Sequence, residues 1–337
     1  MVIRFKTIVD NNGVRRDEET ATMFSASETE LIFRRFLNNR QVGKARIRLY
    51  EVLRIIVMRY EESSGVQMLD FSSDSLKGLY HFVIYEDYLS KGSSHVRRSH
   101  NYATLILKAL RTVFNWIRRA GFVKVSPFDY FSIPSERYAS PIYLSIQELD
   151  IIWKADLADK PALAIQRDIF IFQCNVGCRV GDLMRLTEQD IVNGTIEYIP
   201  KKTLNKKADT VTVPLNRTAL EILDRYRSFP GEMILPFISV KNYNLSIKKI
   251  LQIAGIDYQV IILDPVTGAE TKVKLWKIAS SHLARRTFIG NLYKSVKDPS
   301  LISSMTGHAE GSRAFCRYRN IDIEIKRDLV KLLEMGK

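Results

Sequence analysis

Two arginines, two histidines and one tyrosine stand in an order that chemistry can use. Arg179 lies in N-V-G-C-R-V-G-D, His282 and Arg285 in S-S-H-L-A-R-R-T-F, His308 in M-T-G-H, and Tyr318 in A-F-C-R-Y-R-N. Taken singly, an arginine is commonly a solvated or salt-bridged residue and a tyrosine a half-buried core member. As a set they supply what transfer of a phosphodiester needs. Guanidinium groups match the non-bridging oxygens in plane, imidazoles donate to the same oxygens, and a phenol can attack the phosphorus. His282 and Arg285 are three residues apart, so on a helix they share one face while Arg286 points away.

Such a set must be held by a folded scaffold on a polyanion, and the composition agrees. The chain has 337 residues, 46% of them hydrophobic, and a formal net charge of +14. That length accommodates two domains with separate cores. The excess of positive charge favours polyanions and releases their counterions on binding, so DNA or RNA is the expected partner. Charge alone also suits ribosomal proteins and membrane-surface binders. No apolar run is long enough to span a bilayer, and the N-terminus lacks a signal-peptide pattern, which leads us to expect a cytoplasmic protein. Three cysteines, Cys174, Cys178 and Cys316, are too few for a disulfide framework and have no zinc-finger spacing, so no metal or other cofactor is expected. Cys174 and Cys178 read as small buried hydrophobes.

Helical periodicity dominates from Ser27 to Tyr130. Helices are expected at Glu28 to Leu37 with Ser27 as N-cap, Val42 to Glu62, Ser75 to Leu89, and Ser99 to Ala120 with Gly121 closing the last. The second should bury Ile47, Val52, Ile55 and Ile56. The basic stretch from Lys91 to His100 ends at a helix start, and its Arg97 and Arg98 either contact DNA phosphates or belong to a solvated loop capped at Ser99. Pro134, Ser135 and Pro141 mark a linker over 131–144. Ser145-Ile146-Gln147-Glu148 is a capping box that opens a second domain, 145–337. There a buried helix runs from Pro161 to Cys178. Strands follow at Thr195 to Pro200 and Asp209 to Pro214, joined by a lysine-rich hairpin loop that holds Lys202, Lys206 and Lys207. A second strand pair is read at Gln259 to Leu263 and Thr271 to Leu275. From Ser281 on the pattern is mostly helical, and its last helix, Asp322 to Met335, carries an apolar stripe of Ile325, Leu329, Leu332 and Leu333. Residues 1–26 contain one strand and turn of unassigned role.

With these residues laid out, the second domain resembles the tyrosine recombinase (phage integrase) family, and the helical region before it resembles that family's core-binding domain. The resemblance covers about Ser27 to Lys337 and implies a mainly α fold with small β-sheets: a helical DNA-binding bundle and a mixed α/β catalytic domain. It implies that Arg179, His282, Arg285 and His308 bind the scissile phosphate. Asp182 then supports Arg179, and Tyr318 is the nucleophile that forms a 3′-phosphotyrosyl link without metal or ATP. His308 and Tyr318 stand one residue further apart than the family's usual spacing, an insertion within Glu310-Gly311-Ser312. Lys202, followed by Thr203, resembles the family's general acid, with Lys201, Lys206 and Lys207 as rivals whose ordinary role is phosphate contact. The resemblance further implies a dimer on each DNA site and a tetramer in the synapse. The C-terminal stripe then packs either on a neighbouring subunit or back on its own domain. The second hairpin and general sequence style favour integrases of mobile elements. The rival readings are a type IB topoisomerase and a catalytically silent DNA-binding relative.

Overall fold

The computed structural model of the chain describes residues 4–9, 15–20, 27–86, 97–201, 209–296 and 298–307, together with Arg317 and Val330. Contacts divide the chain into two compact units, residues 1–137 with 263–269, and residues 138–262 with 270–337.

The first unit opens with an antiparallel pair, β1 (Arg4–Val9) and β2 (Arg15–Thr20). The second of these strands is not evident in the sequence reading. Four helices follow: α1 (Glu28–Asn38), α2 (Lys44–Ser64), α3 (Ser73–Tyr85) and α4 (His100–Arg119). Ser27 caps α1 through Glu30 N, Ser99 caps α4 through Tyr102 N, and Gly121 follows α4 at a φ of 80°. These caps satisfy amides that have no partner inside the helix.

Two expectations need correction here. In α2, Ile47 and Ile55 face solvent, and the buried stripe is instead Tyr50, Leu53, Ile56 and Val57. Positions 50, 53 and 57 follow the 3–4 residue spacing of one helix face, to which 55 does not belong; Ile47 keeps that spacing but lies in the first turn of the helix and stays exposed. Helix α3 ends at Tyr85, one residue before Glu86 turns to an extended ψ of 124°, and residues 87–89 of the expected helix lie outside the described residues. The Glu86 carboxylate pairs with Arg59 and Arg98.

The bundle core is apolar and dense, with Phe33, Phe36, Leu53, Leu79 and Phe114 fully buried. One buried acid crosses it: Glu61 Oε1 accepts from Thr29 Oγ1 at 2.6 Å and from Met68 N at 2.7 Å. The late segment 263–269 adds to this unit, with Pro265 O accepting from His100 N at 2.8 Å and Val266 packed on the core.

The second unit begins with α5 (Ile146–Lys154), α6 (Pro161–Val176) and the short α7 (Val180–Leu183). The capping box at the start of α5 is complete, since Glu148 N donates to Ser145 Oγ and Ser145 N donates to Glu148 Oε2. A three-stranded antiparallel sheet follows: β3 (Ile191–Val192), β4 (Thr195–Tyr198) and β5 (Val211–Pro214), in that order. Then come α8 (Arg217–Tyr226), α9 (Val240–Ile253), the hairpin strands β6 (Gln259–Leu263) and β7 (Glu270–Lys274), α10 (Leu275–Ile278), α11 (Ser281–Ser295) and α12 (Pro299–Thr306).

Strand β7 starts one residue earlier than expected, and β3 is an addition that alternation over two residues could not reveal. The core of this unit surrounds α6, whose Ile169, Phe170, Phe172 and Val176 are buried on several faces, with α8, α9 and α11 packed against it. A helix apolar on all sides is a central helix. Among the described residues, no helix is long and apolar enough to cross a membrane.

Candidate active site

The site grows from the end of α6. Gly177 closes that helix at a φ of 69°, a left-handed conformation that is cheap only for glycine. Sterics select glycine a second time, because a Cβ there would lie 2.3 Å from Phe288 Cδ1. The turn is further held by buried polar groups: Tyr243 Oη donates to Gln173 Oε1 at 2.9 Å, and Gln173 Nε2 donates to Cys178 O at 3.1 Å. Both side chains are fully buried, so their mutual satisfaction is what makes them affordable in the core. The chain therefore leaves the turn in one direction and delivers Arg179 at the cap position of α7.

Helix α11 lies against α6 and is locked from outside. Tyr143 packs where a Cβ on Gly290 would intrude, Leu144 N donates to Thr287 Oγ1 at 3.1 Å, and Asn291 Nδ2 donates to Leu144 O at 2.8 Å. This packing buries Arg285 to 5% exposure. Arg285 Nη1 donates to Gly177 O at 2.9 Å and Nη2 to Thr306 O at 2.6 Å. Arg179 Nη2 reaches Gly307 O at 3.4 Å, while its Nη1 is buried without a hydrogen-bond partner among the described residues. The two arginines thus converge on consecutive carbonyls, those of Thr306 and Gly307, immediately before His308. Gly307 adopts a φ of 59°, and a Cβ on it would meet Val211 and Pro200 at 3.0 and 3.1 Å.

His282 sits on α11 one turn before Arg285 and keeps contact with solvent. Partial desolvation, followed by the charges of Arg286, Arg285 and Arg179, holds its pKa below the ordinary 6.5. The imidazole is therefore mostly neutral at pH 7, with one N–H to donate and one lone pair.

Asp182 is buried at 2% exposure. Its Oδ2 lies 4.0 Å from Arg179 Nη1, an ion-pair distance outside hydrogen-bond range. Its shorter contacts are elsewhere: Oδ1 accepts from Lys201 N at 2.9 Å and from Arg185 Nη2 at 3.3 Å.

Buried Tyr198, at the end of β4, has a hydroxyl with no partner among the described residues. Burial pushes its phenol pKa up, with Cys178 and Asp182 acting in the same direction and Arg285 and Arg179 against it. The Cys178 thiol is pushed up to about 12, chiefly by burial, so Cys178 is an inert packing group, as is buried Cys174.

Lys202, Lys206, Lys207, His308 and Tyr318 lie outside the described residues. The residue before Tyr318 is described, and the Arg317 guanidinium stands over the Tyr138 ring, 4.4 Å from its centroid. In the first unit, Arg97 is exposed and stacks on Tyr85 at 5.6 Å. Arg98 stacks on Tyr102 at 5.4 Å and lies 3.7 Å from the Glu86 carboxylate, so part of its charge is spent within the protein. The sequence reading missed Gln173, Tyr243, Tyr198 and Arg185. The first three carry no motif and are placed by packing, whereas Arg185 was visible as the only other cation near Asp182 in R-V-G-D-L-M-R.

A mainly helical unit that presents two convergent arginines beside a small sheet defines a class, and residues 143–324 match the phage integrase family. The chain belongs to that family. It is 24% identical over 232 residues to the tyrosine recombinase XerC of Thermodesulfovibrio yellowstonii, an alignment covering 65% of this chain and 70% of the relative. In fold it is similar to the integrase of transposon Tn1549 in complex with transposon right-end DNA, with a TM-score of 0.64 and 14% identity over 90% of this chain and 98% of that one. It is also similar to a lambda integrase dimer bound to a core site, with a TM-score of 0.59 and 17% identity over 86% of this chain and 76% of that one.

Proposed function

We propose that the chain is a site-specific DNA recombinase that breaks and rejoins strands through a covalent 3′-phosphotyrosyl intermediate, serving integration or excision of a mobile element. The observation that carries this reading is the convergence of Arg179 and Arg285 on the backbone that leads into His308. Guanidinium N–H groups fixed before the substrate arrives lose little by reorganisation, and they act on charge as it develops at phosphorus.

In the proposed reaction Tyr318 Oη attacks the phosphorus in line. The new P–Oη bond forms as the P–O5′ bond breaks, and the electron pair departs on O5′, which takes a proton from Lys202. The phenolic proton passes to a base, a role for which the neutral His282 has a free lone pair. Attack by a 5′-hydroxyl on the phosphotyrosine reverses the sequence. One ester replaces another, so bond energy is conserved and ATP has no place in the balance.

Asp182 supports Arg179, and Arg97, Arg98, Lys206 and Lys207 contact the DNA backbone. The helical region 27–130 serves as the core-binding domain, 131–144 as linker and 145–337 as catalytic domain. Duplex DNA is the partner, with a dimer on each site and a tetramer in the synapse; solved structures of lambda integrase include a dimer on a core site and a tetramer on a Holliday junction.

The test uses a duplex selected by the full chain from a randomised pool and nicked next to the cleavage point, so that the cleaved product is trapped. Tyr318→Phe is expected to bind it as the unaltered chain does and to form no adduct that survives denaturing electrophoresis. Covalent capture by that variant would overturn the assignment of the nucleophile.

A further inference from the structure

We infer that Arg185 is a positioning residue for protonation of the leaving oxygen, an inference that rests on the reading of Lys202 as the general acid. The β4–β5 ladder ends at the Tyr198↔Val211 pair, so the next residues have left the sheet and must find other partners. They find them on α7 and the turn that follows it. Arg185 Nη2 donates to Ile199 O, and Asp182 Oδ1 accepts from Lys201 N at 2.9 Å. Between the two stands Pro200, which has no N–H to offer, and its ring lies beside Gly307.

Arg185 Nη2 also donates to Asp182 Oδ1 at 3.3 Å, so one guanidinium and one carboxylate hold the residues on either side of Pro200. The peptide that opens into Lys202 is thereby tied to the same short helix that presents Arg179, and the sheet no longer determines its position. The Arg185 side chain is 41% exposed, and ion pairs that open to water add little to stability. Its structural consequence is local: it fixes where the lysine-bearing segment begins relative to the phosphate-binding arginine. Displacement of a reacting group by about 1 Å can cost about a hundredfold in rate.

The substrate pair that tests this is the selected nicked duplex with either oxygen or sulfur at the 5′-bridging position of the scissile phosphate. Sulfur leaves as a thiolate and needs no proton, so a defect confined to protonation disappears with it. Arg185→Met, which keeps the aliphatic stem and removes the donors, is expected to slow single-turnover cleavage of the oxygen substrate about tenfold to a hundredfold. On the sulfur substrate it should fall within about threefold of the unaltered chain, the scale at which no proton-transfer defect remains. Arg185→Lys should recover part of the rate on oxygen.

Equal slowing on both substrates, or no slowing on oxygen, would overturn the inference. Lys202→Ala is run on the same pair. If sulfur rescues Arg185→Met but not Lys202→Ala, the brace stands and the identity of the acid falls; if it rescues only Lys202→Ala, the brace falls and the acid stands; if neither, both fall. Should Arg185→Met fail to give a cooperative melt, Arg185→Gln provides the same loss of charge with a polar side chain, judged by the same outcomes.

Discussion

Gly177→Ala tests how the site is built, because one methyl group challenges both reasons for the glycine. The residue has a φ of 69°, and the added Cβ would lie 2.3, 2.6 and 2.9 Å from three atoms of the Phe288 ring. The left-handed backbone costs about 1–2 kcal/mol for a residue with a Cβ. Relieving the overlap by moving Phe288, itself 7% exposed, costs about a further 1–3 kcal/mol. The expected destabilisation is roughly 2–5 kcal/mol, which for a unit of this size lowers the melting temperature by roughly 4–20 °C. Calorimetry measures it.

The same substitution moves Gly177 O away from Arg285 Nη1 and strains the turn that presents Arg179, so cleavage by the folded variant should fall on the order of a hundredfold. A double-mutant cycle separates the two costs. In a Phe288→Ala background the steric part vanishes, and only about 1–2 kcal/mol of backbone strain should remain. A Gly177→Ala protein that melts within about 2 °C of the unaltered chain would refute the reasoning. So would a full additive penalty in the Phe288→Ala background.

Asp168, 1% exposed, accepts from Arg167 Nε at 3.0 Å, Arg225 Nη1 at 2.7 Å and Tyr226 Oη at 2.8 Å. Removing it with Asp168→Ala takes the carboxylate from Arg167, which is 14% exposed, while the more open Arg225 keeps Glu221 at 3.1 Å, both guanidiniums lying over Trp153; the cost should be about 3 kcal/mol, the low end for a broken buried pair, read as a lower melting temperature with cleavage chemistry retained in the folded fraction. A melt unchanged from the parent would show the cluster to be dispensable. The His282 imidazole should titrate below 6.5 in the folded protein, followed by NMR with His282→Asn to assign its signal. Because the folded state binds this proton less readily than the unfolded chain, the associated stability is complete above pH 6.5 and is lost as pH falls through the lower folded value. A midpoint at or above 6.5 contradicts the partial desolvation and arginine field assigned to it.

The family and the fold class were legible because they are written in local patterns. Apolar spacing of 3–4 residues marks α3 and α4, and Ser27, Ser99 and Ser145 are cap residues whose hydrogen bonds reach only to the amide three positions on. Where two phases of the same period competed, as with Ile55 and Ile56 in α2, the sequence could not choose between faces. Burial is decided by the partner helix, here α1 and α4. The two-residue strand β3 was similarly beyond it, since it exists only through pairing with β4.

For the candidate site, the order of motifs identifies residue types and their sequence separation, and the H-x-x-R spacing puts His282 and Arg285 on one helical face. By itself the chain determines which groups are available for the chemistry and the local caps and turns that present them, because these depend on neighbours within a few positions. That Arg285 grips the carbonyls of Gly177 and Thr306, 108 and 21 residues away, is decided only by packing of α11 on α6. The same holds for Asp182, whose carboxylate has hydrogen bonds to Lys201 N and Arg185 and only an ion pair with the arginine it was expected to orient. A buried carboxylate bonds to whichever donors the tertiary fold brings within about 3 Å, and sequence separation does not encode that distance.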